Sequence, residues 1–221
     1  MSDLMRCTLD EPSLARYVAA QVNGVFPDSR PVGHGTLGAL LPSVLERVEH
    51  CFTRIGNKYF FDGNSAMFNH LNGDQYAMFL YMMARSAFRS GITDGTPEKL
   101  YLLNKALHGI DAFYEVELPR IFFFVHPVGT VLGRARYSDY LAVYQRCSVG
   151  SNHDVYPTLG EHVTLRPGSA VLGRCTVGRD CTIAAESLLL DRDLPDGSVY
   201  TGNPRDYVVR QSSGELMLWR T

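Results

Sequence analysis

The chain has little net charge and no long apolar run. Its 221 residues carry 21 Lys and Arg against 23 Asp and Glu, which gives a formal net charge of −2 and a pI of about 6.4. A chain this close to neutrality offers no electrostatic case for a nucleic-acid partner. The longest apolar runs, such as IFFFV, are too short to cross a bilayer. No charged and then apolar leader opens the sequence, so we also expect no membrane partner.

The five cysteines form no pattern that is typical of a disulfide framework or a metal site. Their number is odd, and no CxxC pair is present. Cys147, Cys175 and Cys181 fall at small positions of the repeat described below, where a free thiol acts as a small apolar group. We therefore predict reduced thiols in a cytoplasmic protein.

The C-terminal half contains aliphatic residues at a fixed spacing of six, most of them followed four positions later by a small residue. Neither the period of a helix nor the alternation of a strand explains this spacing. Hexapeptide repeats coiled into a β-helix do explain it. Each inward aliphatic side chain would contribute about 1.5–3 kcal/mol through burial. The aliphatic positions are Leu159, Leu165, Val171, Val177, Ile183 and Leu189, and the small ones are Val163, Ser169, Cys175, Cys181 and Ser187.

A second ladder of six-residue steps precedes the first, with a shift of four residues between them. It runs through Val125, Val131, Tyr137, Val143 and Val149. We therefore predict that the coil begins near Val125 and that an excursion around Gly150–Thr158 leaves it and rejoins it. Because an insertion in a stacked solenoid projects from a corner, often at the binding face, this loop is a candidate part of a binding site.

The first 120 residues have helical periodicity instead. Segments such as LPSVLERVEHCF place apolar residues on one face of a helix. Pro12 and Pro97 suit the first turn of a helix, and Thr96 is a candidate N-cap. The pattern predicts an α+β protein in three parts: a helical domain over 1–120, a parallel β-helix over 121–210 and a tail over 211–221.

Three segments carry a resemblance to a known family: HPVGTVLG from His126, YQRCSVGSN from Tyr144 and the C-terminal GSVYTGNPRDYVV. With the helical N-terminal part, they resemble the serine acetyltransferase branch of the hexapeptide-repeat acyltransferases. The resemblance implies a left-handed parallel β-helix, acetyl-CoA as the acyl donor and a small polar acceptor. It also implies a homotrimer or a dimer of trimers, with the acyl-CoA in a groove between neighbouring β-helices.

The resemblance assigns catalysis to His126. An unperturbed imidazole, with a pKa of about 6.5, can take a proton from a hydroxyl or an amine at pH 7. A carboxylate that holds the other ring nitrogen would fix the tautomer and stabilise the imidazolium. The candidates for this carboxylate are Asp111, which matches the family's buried Asp, and Glu117, with Glu115 beside it.

The acceptor is expected to contact the coil after His126 and the excursion. Gln145 matches a glutamine of the family's coil. The family has an Asp directly before its catalytic His, where this chain has Val125, and it has a second functional His where this chain has Tyr156. His153 and Asp154 lie in the same excursion as Tyr156, and all three are candidate acceptor contacts.

The resemblance also places the acyl-CoA. Gly168, Ser169, Ala184 and Ala185 match the small-residue turns of the family, where backbone can approach a ligand closely. Arg205, in the C-terminal turn, is a candidate contact for the phosphates of CoA.

Other functions stay open at this point. Sugar acetyltransferases of surface polysaccharide synthesis share the HP-x-G and terminal GNP features, so the acceptor could be serine, another amino acid or a sugar. A β-helix can also be a non-catalytic scaffold. Some β-helix proteins are zinc-dependent carbonic anhydrases, but His126, His153 and His162 lack the paired H-x4-H spacing of those enzymes, so we expect no metal.

Overall fold

The computed structural model describes residues 5–212 and 218–220. The N-terminal part of these residues is helical, with one small parallel sheet of two strands. The strands are β1 (Met5–Cys7) and β2 (Ala66–Phe68), and the helices are α1 (Glu11–Val25), α2 (His34–Phe52), α3 (Gly73–Arg89) and α4 (Thr96–His108).

Local sequence explains where the helices begin. The side chain of Asp10 caps α1 by accepting from the N–H of Ser13, and Asn72 caps α3 in the same way. The expectation that Thr96 is an N-cap was wrong, because Thr96 is the first residue of α4 and is buried. The N-cap residue is Gly95, and the N–H of Thr96 donates to the carboxylate of Asp94, 2.9 Å away.

The rest of the chain folds into short strands. They are β3 (Asp111–Ala112), β4 (Phe122–Val125), β5 (Val131–Leu132), β6 (Arg136–Tyr137), β7 (Leu141–Tyr144), β8 (Ser148–Gly150), β9 (Thr158–Leu159), β10 (Thr164–Leu165), β11 (Ala170–Leu172), β12 (Thr176–Val177), β13 (Thr182–Ile183), β14 (Leu188–Leu190), β15 (Ser198–Asn203) and β16 (Asp206–Gln211).

These strands form the three faces of a prism of about five turns. Face I contains β4, β7, β10, β13 and β15, with β16 added antiparallel at the end. Face II contains β3, β5, β8, β11 and β14, and face III contains β6, β9 and β12. Apart from β15–β16, neighbouring strands within these faces are parallel, so the chain passes from face I to II to III once in each coil. The predicted α+β fold, helices followed by a parallel β-helix, is confirmed.

The aliphatic ladder is confirmed from the second coil onward. All six aliphatic positions from Leu159 to Leu189 are buried, and so are the small positions between them. In the first coil the predicted phase was right for Tyr137, which pairs with Leu159 and packs against the core, but wrong for Val125 and Val131. Val131 is 45% exposed, and the inward positions are held by Phe124, paired with Val143, and Leu132, paired with Val149. The solenoid also starts earlier than Val125, because β3 pairs with β5.

The predicted excursion is a small hairpin at the edge between faces II and III. The N–H and carbonyl groups of Asn152 and Val155 bond to each other at 3.1 Å. Between them His153 and Asp154 both have positive φ, as in a type I′ turn. Asn152 Nδ2 donates to the Asp191 carboxylate at 2.6 Å, which fastens the hairpin to a later coil. The insertion therefore has a fixed shape and a fixed place.

The C-terminal segment returns to the start of the β-helix. Trp219 forms an antiparallel bridge with Ile55 and packs edge-on against Phe123 and Tyr140. The predicted tail is described only at 211–212 and 218–220, and its other residues lie outside the described part. One continuous apolar core joins the helices to the coils, and the division at residue 120 stays a prediction. Among the described residues, no helix combines the length and apolarity needed to cross a membrane.

Candidate active site

His126 lies in a widened corner between faces I and II. Val125 pairs with Tyr144 and Val131 with Ser148, so five residues (126–130) turn the first corner where three (145–147) turn the next. His126 adopts a φ of +49°, which is uncommon for a residue with a Cβ. The two extra residues lift the imidazole out of the stack, and its side chain is 78% exposed.

Backbone hydrogen bonds hold this widened corner in place. The Gly129 N–H donates to the carbonyl oxygen of Gly109 at 2.9 Å, and the Arg146 N–H donates to the carbonyl oxygen of Val128 at 2.9 Å. The buried hydroxyl of Thr130 donates to the carbonyl oxygen of Tyr144 at 2.8 Å. The corner is thus tied both to the C-terminal end of α4 and to the coil below it, which preorganises His126.

The helical part supplies the carboxylate that contacts His126. Asp74, in the first turn of α3, accepts a hydrogen bond from the backbone N–H of His126 through Oδ1 at 3.0 Å. Its other oxygen, Oδ2, lies 3.7 Å from His126 Nδ1. Burial raises the pKa of Asp74 above its usual range, while the imidazole and the N–H of His126 oppose that rise. The Asp74 side chain is only 20% exposed, so this carboxylate is largely shielded from water.

The pair places a negative charge beside the imidazole. At 3.7 Å the contact between Asp74 Oδ2 and His126 Nδ1 is longer than a hydrogen bond, so it is electrostatic. A carboxylate on this side of the ring favours the tautomer with the proton on Nδ1, which leaves Nε2 as the acceptor. Within the described residues, Nε2 has no hydrogen-bond partner, and the ring faces open solvent. This arrangement can take a proton from a group that docks at the corner.

The carboxylates predicted to orient His126 have other partners. Asp111 accepts from the Tyr101 hydroxyl at 2.7 Å and from Lys105 Nζ at 2.6 Å, so both its oxygens face α4. Burial acts to raise the pKa of Asp111, but these two hydrogen bonds prevail and hold it below its usual range. Glu117 pairs with Arg85 at 3.2 Å on another edge of the prism. The spacing along the chain did not identify the carboxylate that contacts the imidazole.

Sequence reasoning missed Asp74. The residue follows a capping asparagine and precedes an apolar helix, which is typical of any surface aspartate in a first turn. It lies 52 residues before His126, and only the packing of α3 against β4 brings the two together. No local pattern could have found this contact.

The residues predicted to bind CoA lie along the same edge as His126. Gly168 sits at the I–II corner with a φ of +72°, and a Cβ there would come within 2.5 Å of the Glu186 carboxylate. Arg146 and Glu186, one coil above and one below, form an ion pair across it. Ser169 points into the prism and is fully buried, so only its backbone is available to a ligand.

The lower part of this edge is open. Ala184 and Ala185 follow β13, with Ala185 exposed. Arg205 lies in the turn between β15 and β16, which closes the same edge. From β4 to β15 the edge crosses four strand intervals of about 4.8 Å, or roughly 19 Å. An extended ligand could therefore run from His126 to Arg205 along one row of backbone.

Gln145 stands on this edge one coil below His126. Its side-chain Oε1 is buried and has no hydrogen-bond partner among the described residues. A buried acceptor without a donor costs about 1–3 kcal/mol, so it is a ready partner for an incoming N–H or O–H.

The acceptor residues of the hairpin lie on a different edge from His126. His153 and Asp154 at its tip are exposed, and Tyr156 is 42% exposed. The II–III edge that carries them is separated from the I–II edge by face II. Within one chain, the structure does not bring His153, Asp154 or Tyr156 to His126. The described residues also contain no group of three His, Cys, Asp or Glu that could hold a metal ion.

No protein-family model matches the chain. A serine acetyltransferase from Synechococcus elongatus is 30% identical over 119 residues, which cover 52% of this chain and 48% of that relative. The chain spans about half to two thirds of the length of the curated relatives it matches.

Solved structures share the fold over nearly the whole chain. Serine acetyltransferase from Neisseria gonorrhoeae has a TM-score of 0.71 at 15% identity, over 93% of this chain and 80% of that chain. The complex of Brucella abortus serine acetyltransferase with coenzyme A has a TM-score of 0.68 at 17% identity, over 94% and 84% of the two chains. This chain is a serine acetyltransferase-like hexapeptide-repeat protein.

The resemblance to serine acetyltransferases that the three segments indicated is thereby confirmed. The fold likeness of this serine acetyltransferase-like protein also includes its N-terminal half, for which the sequence offered helical character alone. The comparisons assign no residue roles. Those roles rest on the geometry of the I–II edge.

Proposed function

We propose that this protein transfers an acetyl group from acetyl-CoA to a small polar acceptor, with His126 as the general base. The observation that carries the proposal is the His126–Asp74 pair at the top of an open edge of the β-helix. The similarity to serine acetyltransferases, one of them solved with coenzyme A, supports the same chemistry.

In the proposed reaction, His126 Nε2 takes the proton of the acceptor hydroxyl or amine. The acceptor atom then attacks the carbonyl carbon of the thioester, and the bond between that carbon and sulfur breaks. The imidazolium returns its proton to the departing thiolate, so no covalent enzyme intermediate is needed. Asp74 stabilises the imidazolium during this cycle and holds the ring in one orientation.

The acyl-CoA would lie along the I–II edge. Ala185 leaves the backbone accessible there, and Arg205 stands where the phosphates of an extended CoA would end. At Gly168 the side chains of the Arg146–Glu186 pair would have to move aside for the ligand. The free acceptor atom of Gln145 would receive a donor from the pantetheine arm or from the second substrate. Ser169 contributes backbone alone.

A second copy of the chain would complete the site. The hairpin with His153, Asp154 and Tyr156 stands on the II–III edge, away from its own His126. Packing of three prisms would place the hairpin of one copy beside the I–II edge of the next, in keeping with a homotrimer. The helical parts would join two such trimers if a hexamer forms. L-Serine is the first acceptor to examine, and amino sugars follow, because Tyr156 stands where the family has a histidine.

Free-thiol release from acetyl-CoA tests this function. The wild-type protein should release CoA in the presence of its acceptor. His126→Ala should lower the turnover about 10²–10⁴-fold while CoA is still retained. The matched control is His34→Ala, because His34 is an exposed residue at the start of α2, and this variant should keep full turnover. Near-native turnover of His126→Ala would refute the assignment. A wild-type protein that neither releases thiol with any acceptor nor retains CoA would be a scaffold.

A further inference from the structure

A cavity of about 540 Å³ opens on the third edge of the prism, between faces III and I. Its floor is formed by the corner 137–139 of the first coil and by Glu161 of the next coil. Its roof is formed by α2, α3 and the segment 117–120 that leads into β4. A smaller cavity of about 220 Å³ adjoins it and shares Arg47, Arg85 and Glu117. None of these residues takes part in the proposed acetyl transfer.

The helical wall of this cavity is basic. Arg85 is 8% exposed and donates to the carbonyl oxygens of Tyr114 and Glu115 at 3.2 and 3.0 Å, while it pairs with Glu117. Arg47 Nη2 donates to the carbonyl oxygens of Leu118 and Pro119 at 3.2 and 3.0 Å. The two arginines therefore hold the connecting segment against the helices mainly through neutral carbonyl groups.

One donor in this wall is left unsatisfied. Arg47 Nε is buried and has no hydrogen-bond partner among the described residues. Arg47 also forms no ion pair there, and neither does the exposed Arg120 at the rim. Since an unpaired buried donor is costly, and more so when charged, the wall is suited to accept an anionic group.

The wall formed by the β-helix is acidic. Asp139 uses one oxygen, Oδ1, to accept from the Ile121 N–H at 2.9 Å. Within the described part of the chain, Asp139 and Glu161 form no ion pair with any cation. The hydroxyl of Ser138 is already bonded to the carbonyl oxygen of Leu159 at 2.9 Å. Two carboxylates, Asp139 and Glu161, and two guanidinium groups, Arg47 and Arg120, thus line one cavity without forming ion pairs with each other.

From these unpaired charges of both signs we infer a second ligand site, for the zwitterion of a free α-amino acid. The carboxylate of the ligand would bind Arg47 and Arg120, and its ammonium group would bind Asp139 and Glu161. A simple anion would leave the acidic wall unpaired, and a simple cation would leave the basic wall unpaired. The volume leaves room for a side chain beside the two charged groups.

The site is separate from the I–II edge. Strand β4 separates the two sites: the cavity lies at the N-terminal end of the strand, and His126 follows its C-terminal end. An amino acid bound in the cavity would bridge the helices, the segment before β4 and the first coil. Binding is therefore expected whether or not the acetyl-transfer proposal holds.

Isothermal titration calorimetry with each of the twenty common L-amino acids tests the inference. At least one should bind the wild-type protein, and its N-acetyl and carboxamide derivatives should each bind at least tenfold more weakly, because each lacks one charge. Arg120→Gln and Glu161→Gln should each weaken binding about tenfold or more. Both positions are exposed, so these variants should fold.

Two control variants locate the binding. Arg16→Gln alters an exposed arginine on α1, far from the cavity, and should leave the affinity unchanged. His126→Ala alters the acetyl-transfer site and should also leave it unchanged. The inference is overturned if no amino acid binds, if Arg120→Gln and Glu161→Gln bind as the wild type does, or if His126→Ala abolishes binding. It is also overturned if the N-acetyl or carboxamide derivative binds as well as the free amino acid.

Discussion

Replacement of Asp74 by Asn removes the negative charge beside His126. The amide oxygen of Asn can still accept a hydrogen bond from the backbone N–H of His126. At the separation of 3.7 Å between Oδ2 and Nδ1, the attraction between carboxylate and imidazolium is about 1 kcal/mol at the dielectric constant of water and about 4.5 kcal/mol at an effective value of 20. Because the His126 side chain is 78% exposed, the lower end applies, at about 1–2 kcal/mol.

This energy has a defined effect on the rate. In Asp74→Asn, kcat should fall about five- to thirtyfold, because the imidazolium formed during proton transfer has lost its partner. The assay is thiol release at saturating acetyl-CoA.

Asp111→Asn is the matched control for this prediction. It makes the same chemical change at a carboxylate that is hydrogen-bonded to Tyr101 and Lys105, so it should lower stability while kcat of the folded protein stays unchanged. If Asp74→Asn left kcat unchanged, or if Asp111→Asn lowered kcat more, Asp74 would not be the orienting group.

Two further predictions follow from the fold. Phe124→Ala should lower the free energy of unfolding by about 3–5 kcal/mol, measured by urea titration, because Phe124 fills the first coil, whereas Val131→Ala should change it by less than about 0.5 kcal/mol. Equal losses in these two variants would contradict the corrected phase of the first coil. Replacing His153 by Ala and Tyr156 by Phe should raise the KM for the acceptor about three- to tenfold, with the KM for acetyl-CoA little changed. Unaltered acceptor kinetics in both variants would show that the hairpin does not contact the acceptor.

The sequence predicted the parts of this fold that repeat. Apart from the hairpin insertion, the coils after the first obey the six-residue rule, because Val171, Val177 and Ile183 meet equivalent neighbours in the adjacent coils. The four-residue shift was visible for the same reason, since any insertion breaks a strict period.

The parts that do not repeat could not be predicted in this way. The phase of the first coil depends on its widened corner, which pairs Phe124 rather than Val125 with Val143. The contact between Asp74 and His126 depends on how a helix packs on a strand, and the return of Trp219 to Ile55 depends on the whole length of the prism. Such contacts join residues that are far apart in sequence, and no local pattern encodes them.

A crystal structure of the protein with CoA tests the central claim most directly. We expect the thiol beside His126 Nε2 and the pantetheine arm along the I–II edge past Gln145, with the phosphates near Arg205. The hairpin of a second copy should lie against the same edge. CoA bound along either of the other two edges, or with its thiol remote from His126, would contradict the account.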